Sequence, residues 1–435
     1  MTLSSSLSAG VAGLQANASR VATISDNIAN ASTLGYKRAD IDFEALLAPA
    51  AASSYTAGTV RSTVVRDIGA PGPIIASDSA LDLAIAGEGF LPVTDASALG
   101  GAVNPVPFKM TTTGGFTRDA EGFLTTATGL ALTGWRTTAD GELPAPVSRD
   151  GPRDLEPVQV TSFLTFAAAT TEADLVVNLP ASATEAGGTG DPYTVILEYF
   201  DSLGSSRELQ AIFTPQVPAT GRSSTWELEV FEGTDAAAPS LGTADIVFDE
   251  SRERGGRILS VTDGGGAIFD PVTGQLNVTT SDGPIDLFIG APGLDTGITQ
   301  LDGTFATVSI SANGAPSGKL ARLEFDDAGF LSAIYDSGAQ VSLYQIPVVT
   351  VQNPNNLAIE DGQAFSITPL SGLPTLEDAG AGSAGTIEAF SRQESNVDIA
   401  RELTTLIQTQ RAYSSNATVI QTVDEMLQET TNLKR

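Results

Sequence analysis

Asp119 and Glu121, two carboxylates one residue apart and followed by Gly122, come closest in this chain to a constellation that could do chemistry. Acids at that spacing open a calcium loop, whose oxygens surround a hard cation. The remaining ligand positions fall on Leu124 and Thr126, and no Glu closes the loop at the required spacing, so the segment reads as a turn. Gly87-Glu88-Gly89 could begin the fingerprint that cradles a dinucleotide pyrophosphate, but Pro92 stands where the third glycine belongs. Glycoside hydrolysis needs two acids placed across a scissile bond. Among 52 Asp+Glu no pair stands out. The chain has no His and no Cys. That removes thiol nucleophiles, disulfides, zinc sites built from those residues, and the side chain best suited to proton transfer near neutral pH. The expectation is a non-enzyme with no catalytic residue, no metal site and no cofactor.

Charge and hydropathy then bound the partners. The balance is 22 Lys+Arg against 52 Asp+Glu, a formal net charge of −30 over 435 residues. Such a surface repels nucleic acid and anionic membranes, which need basic groups against phosphate. Residues 153–302 hold 23 acidic and 6 basic residues, a net −17, so most of the negative charge sits in the middle third. No run of about 18 apolar residues exists, and no membrane insertion is expected. The first residues, MTLSSSLSAGVAGLQANASR, lack the basic start and continuous apolar stretch of an ordinary secretory signal. Work outside the cell would need another export route.

The elements that position these residues differ between the ends and the middle. Near the N-terminus, apolar side chains recur every seventh position at Leu7, Leu14, Val21 and Ile28. Near the C-terminus the same step recurs at Ile399, Leu406, Tyr413, Ile420 and Leu427. A sustained seven-residue step is the signature of helices that pair as a coiled coil. These nine residues are the candidate assembly contacts. Asn396 is placed to cap the second helix, with Asp398 and Glu402 near its positive end. The first helix is nearly uncharged, with only Arg20 and Asp26 before Asn30. A small, polar, uncharged back face suits burial among many neighbours, and a segment that is disordered alone and ordered in an assembly.

Between the ends the pattern is β. Leu81, Leu83 and Ile85 alternate with Asp82 and Ala84, and turn residues recur every 8–12 positions. Strands are predicted at Leu130 to Trp135, Tyr193–Phe200, Glu208–Phe213, Thr225–Phe231, Ile246–Phe248, Ile285–Ile289, Ala321–Phe325, Leu331–Tyr335 and Leu343–Val351. Ser371–Thr386, rich in Gly and Ala, reads as a linker. The fold class expected is mixed: nested all-β middle domains, sandwich- or barrel-like, flanked by paired terminal helices of coiled-coil type. The bounds expected are an assembly helix at 1–31 pairing with 395–435, and a connecting segment at 32–75 with 379–394. An inner β domain is expected at 76–152 plus 303–378, and an outer inserted β domain at 153–302.

Two long motifs give these ends a family likeness. Ser25-Asp26-Asn27-Ile28-Ala29-Asn30-Ala31-Ser32-Thr33-Leu34-Gly35-Tyr36-Lys37-Arg38 resembles the N-terminal signature of flagellar rod, hook and hook-junction proteins. Ser395-Asn396-Val397-Asp398-Ile399, Gln410-Arg411-Ala412-Tyr413 and Thr422-Val423-Asp424-Glu425-Met426-Leu427 resemble the matching C-terminal signature. Inside, Asp82 to Phe90, Phe116 to Leu124, Gly329 to Gly338 and Gln352 to Leu357 resemble the body of the hook and distal-rod members. Leu91 departs from the second aromatic common there, a local change of side-chain fit. The large 153–302 insert favours the hook branch.

The resemblance implies a subunit exported through the flagellar export apparatus without a cleaved signal peptide. Outside the cell it would polymerise with itself into a curved, flexible tube, the universal joint that carries motor torque from rod to filament. It implies contacts with a distal rod protein, a hook cap protein and a hook–filament junction protein. The rival readings are a distal rod or junction protein, and, in another class, a secreted β-rich adhesin or enzyme whose activity would survive loss of both termini.

Overall fold

In the computed structural model, the residues described are 3–46, 59–99, 107–138, 141–144, 146–160, 165–234 and 238–432. The fold is mostly β, closed at both ends of the chain by a helix, as the sequence pattern predicts. The chain divides into two compact units, one of Met1–Ser162, Arg322–Ile334 and Gln340–Arg435, the other of Phe163–Ala321 with Tyr335–Ala339.

In the first unit, α1 (Leu3–Ala29) and α2 (Ile399–Asn432) lie against each other. Their direction is antiparallel, because Gly10 meets Ile420 while Gly13 meets Asn416. α1 carries almost no charge, and three of its hydroxyls bond back along the helix. Ser19, Thr23 and Ser25 each donate to the carbonyl four residues back. Those bonds give three hydroxyls of the polar back face a partner within the helix itself. After α1 the chain makes an antiparallel ribbon of β1 (Ala39–Leu46) and β2 (Thr59–Arg66), in register from Ala39↔Arg66 to Leu46↔Thr59. This ribbon occupies much of the segment read as a connection.

The β part of this unit is a branched antiparallel sheet. Leu130–Arg136 pairs with Leu91–Asp95, Leu124–Thr126 and Gln340–Gln345. Ile68, Phe90, Met110, Trp135, Val349, Leu357, Phe365 and Leu376 form a buried core. Asp82–Ala86 departs from simple alternation. Ala84 is as buried as Leu83 and Ile85, so both faces of this strand are covered, and it is a central strand, paired with Thr113–Arg118 on one side and Thr386–Ala389 on the other. Ser371–Thr386 is not a plain linker. Thr375–Glu377 pairs with Val348–Thr350, and Leu376 is fully buried.

The second unit is a sandwich. One sheet is an antiparallel meander of Tyr193–Phe200, Ser206–Pro215, Thr225–Glu232, Gly242–Phe248 and Ile258–Asp263. The other is built on Glu172–Pro180, flanked by Gly283–Phe288, Thr299–Leu301 and Ala306–Ala312 and continued by Gln275–Thr280 and Ile268–Asp270. Alternate residues of both sheets, among them Leu175, Val177, Tyr199, Phe213, Trp226, Leu228, Ile246 and Leu287, fill one core. The unit runs past residue 302 because Ala306–Ala312 is the antiparallel partner of Glu172–Pro180.

Candidate assembly site at the paired termini

The two terminal motifs meet in space, at the junction where α1 ends and α2 begins. Asn27 is fully buried there, and its side chain behaves like a strand neighbour. Its Nδ2 donates to the Ala39 carbonyl at 2.7 Å, and its Oδ1 accepts from the Ala39 N–H at 2.9 Å. The Tyr36 hydroxyl donates to Asp26 at 3.0 Å. Burial, and then that bond to Asp26, push the Tyr36 hydroxyl up to about 12, against the pull of Arg66 over its ring. Gly35 is held at φ +72, where an added Cβ would lie 3.0 Å from Thr113 Cγ2, and its N–H reaches the Gln393 carbonyl at 2.8 Å.

The next two residues fasten the ends together. Lys37 is 3% exposed, and its ammonium donates to the Ala70 carbonyl and to Gln393 Oε1, both at 2.9 Å. Arg38 donates from its backbone to Asn396 Oδ1 at 2.6 Å, from Nε to Glu402 at 2.5 Å and from Nη1 to Asp40 at 2.9 Å. Glu402 lies on the first turns of α2 and is fully buried. Asn396, expected to cap α2, instead donates to the carbonyls of Asp67 and Ala70. The cap is Asp398, whose Oδ1 accepts from the N–H groups of Ala400 and Arg401. Asp398 directly precedes the first helical residue, where a side-chain oxygen reaches the free N–H groups. Asn396 lies two residues further out, facing the incoming chain.

Burial holds the Lys37 ammonium down to about 8 from 10.5, with Asp67 opposing. Between those values the unfolded chain binds more protons, so stability rises with pH. Below about 8 both states are charged and the full cost of burial stays. Tyr36 works the other way above its ordinary 10.0, where the unfolded chain loses its proton first. From pH 8 to 10 the unit should therefore gain about 2 kcal/mol, at ~1.4 kcal/mol per unit. The chain has two Trp, one buried in each unit, so Trp226→Phe leaves Trp135 to report this one. Urea midpoints read at Trp135 should climb over that pH range and stay flat in Lys37→Met.

Along the helices, the predicted stripe and the buried seam are offset. Leu7, Leu14, Val21 and Ile28 are all half-buried. On α2, Leu406 and Ile420 are half-buried, while Ile399, Tyr413 and Leu427 are exposed at 49%, 43% and 36%. What α2 buries within the subunit is the line three residues on: Glu402, Thr409 and Val423, with Asn416 half-buried. On α1 the corresponding buried residues are Gly10, Ala16, Ile24 and Asn27. A Cβ at Gly10 would stand 3.0 Å from Ile420 Cγ1, and one at Gly13 2.9 Å from the Asn416 amide, so both glycines set a close approach. Val21 and Tyr413 meet in a groove with Ala18, Gln410 and Ser414. The intramolecular seam is thus small and polar, and much of the apolar side of α2 faces outward, with Leu403, Ile407, Val419 and Met426 each 45–56% exposed.

Comparison with known proteins agrees with the position of this junction. The family described as "Flagella basal body rod protein" matches residues 7–37, and "Flagellar basal body rod FlgEFG protein C-terminal" matches residues 393–433. Over the full length of both chains, the sequence is 32% identical to flagellar hook protein FlgE of Rhizobium meliloti and 32% identical to that of Brucella suis. It is 26% identical to FlgE of Salmonella typhimurium, over 99% of this chain and all of that one. A crystal structure of Helicobacter pylori flagellar hook protein FlgE2 shares the fold, with TM-score 0.51 and 13% identity over 72% of this chain and 99% of the other. Among the described residues, no helix is long and apolar enough to cross a membrane.

Proposed function

The chain belongs to the flagellar hook protein family, and from that premise we propose that its polymer is held together by the latched pair of terminal helices. The protein is a structural subunit: it polymerises into the hook, an extracellular part of the flagellum. The observation that carries the proposal is an outward apolar face on α2, with Ile407 53% and Met426 56% exposed, on a helix whose own seam is polar. A face of that kind gains from burial against further copies. The nine residues at seven-residue steps, from Leu7 to Leu427, set the register of this helix pair and its neighbours in this reading: Ile399, Tyr413 and Leu427 are open to other copies, whereas Ile420 packs on Gly10 within the subunit. The β units carry weaker, slidable contacts that let the tube curve and turn as a universal joint. The distal rod protein, hook cap, junction protein and export apparatus are the further partners of this reading. Export proceeds without a cleaved signal.

Electron microscopy of the purified chain under assembly conditions tests it. Short curved tubes are expected from the unaltered protein. Leu14→Asp and Ile420→Asp should leave both β units folded and abolish the tubes. Normal tubes from either variant would remove the terminal helices from the mechanism.

A further inference from the structure

Three buried threonines stand in a row, Thr111, Thr112 and Thr113, and they are not bonded alike. The Thr111 hydroxyl donates to the Thr113 carbonyl at 2.9 Å, and the Thr113 hydroxyl to that of Leu83 at 2.8 Å. Thr112 is 4% exposed, and its hydroxyl has no partner. A buried hydroxyl without a hydrogen bond is costly and calls for a reason. Of the three, Thr112 alone lines a cavity of about 360 Å3.

Lys37 lines the same cavity and is its one cation. An ammonium has three N–H groups to place. Two of them go to Ala70 and Gln393, both neutral acceptors. Among the described residues Lys37 forms no ion pair, and Asp67, whose charge it feels, is exposed. A lysine this deep usually has an opposite charge beside it. The one carboxylate on the lining, Glu88, is exposed to water. It belongs to the Gly87-Glu88-Gly89 turn, whose glycines are held at φ +115 and +127. An added Cβ at Gly89 would strike Val348, so packing fixes this wall. Ile68, Phe90 and Val351 make other walls apolar.

We infer that this cavity is a site for a small organic monocarboxylate, whose oxygens take the third N–H of Lys37 and the hydroxyl of Thr112, and whose hydrocarbon body lies against Ile68, Phe90 and Val351. A carboxylate has two oxygens for these two donors and a single charge to balance Lys37. Sulfate or phosphate would bring more oxygens than there are donors, and a larger negative charge close to Glu88. Chloride would leave the apolar walls uncovered. Lys37 follows α1 and Gln393 precedes α2, and both line the cavity. A carboxylate bound there stabilises the junction of the two ends, because the unfolded chain offers it no site.

The probe is sodium cyclohexanecarboxylate, added to the full-length Trp226→Phe protein at pH 7, with sodium chloride keeping the ionic strength constant. The urea midpoint read at Trp135 should climb. Well above the dissociation constant, each tenfold rise in probe should lower the unfolding constant tenfold. Saturation transfer from the protein to the ring protons of the probe should report binding directly, and sulfate at equal concentration should not displace it. Cyclohexanol, with the same body and no charge, should leave the midpoint in place. Thr112→Val removes the unbonded hydroxyl and keeps the shape. Its midpoint without probe should be no lower than the parent's. It should need at least ~10-fold more probe for the same climb, the worth of a hydrogen bond to a charged group. Lys37→Met should abolish the response. No climb in the parent would overturn the inference. So would an equal climb in the parent and Thr112→Val, an equal effect of cyclohexanol, or displacement of the probe by sulfate.

Discussion

Arg38→Ala should cost the helix-bearing unit about 3 kcal/mol, the loss that follows when one partner of a buried ion pair is removed. Glu402 is fully buried, and its Oε1 accepts from Arg38 Nε at 2.5 Å. Its other oxygen has no hydrogen-bond partner. Without the guanidinium, a carboxylate remains in a desolvated site with nothing to compensate its charge. Asp40 loses its ionic partner as well, but it is partly exposed and adds little. Glu402→Ala alone leaves the Arg38 side chain, 15% exposed, still facing Asp40, and should cost less. Arg38→Ala combined with Glu402→Ala should be milder than the sum of the two, because the second change removes the stranded charge. Urea unfolding read at Trp135 in a Trp226→Phe background measures all three. A midpoint for Arg38→Ala within about 0.5 kcal/mol of the parent, the range of ordinary surface changes, would show that the latch is not held by this pair.

The parts of the fold that read clearly from sequence are those whose pattern is local. Tyr193–Phe200 alternates buried and exposed residues along its length, and its predicted bounds match the strand. Glu172–Pro180 lies outside the predicted strands although Ala173, Leu175, Val177 and Leu179 alternate there just as clearly; what local pattern does not give is the set of partners through which it carries the second sheet. It takes two parallel partners and one antiparallel one, and such pairing has no local signal. The strands at 386–389 and 391–393 are too short for a period to show, and they exist because Asp82–Ala86 and Ile74–Ala76 lie beside them.

The junction was least legible in its chemistry, though its motifs marked its place. Lys37 and Gln393 are 356 positions apart and meet at 2.9 Å. Each of Asn27, Lys37, Asn396 and Glu402 looks like an ordinary solvated side chain until its partner is known. The usable signal was density: polar residues crowded at the end of one apolar helix and at the start of the other. The seven-residue step likewise gave two faces for each helix without saying which closes the subunit and which faces neighbours. Gly10 and Gly13 resolve that for α1, because small residues permit the closest approach.

Ile407→Asp should separate folding from assembly more sharply than any change in the seam. Ile407 is 53% exposed in the subunit, so a carboxylate there meets water and the fold should change by less than about 0.5 kcal/mol. In a polymer that buries this face, the same carboxylate loses its water, with Arg411 one turn along α2 as the nearest cation on its own helix. Losing a buried Ile contact costs about 1.5–3 kcal/mol, and desolvating the charge adds to that. The critical concentration for tube formation should therefore rise at least ~100-fold, which corresponds to about 2.7 kcal/mol. Val423→Asp is the contrast. Val423 is 6% exposed against the subunit's own seam, so its variant should lose helix pairing and assembly together. Sedimentation gives the critical concentration, and circular dichroism at the helix band gives the fold. Ile407→Asp with full helicity and no tubes places the outward face of α2 between copies. Ile407→Asp assembling at the parental concentration would mean that this face stays in water in the hook, and that register between subunits is set elsewhere on the chain.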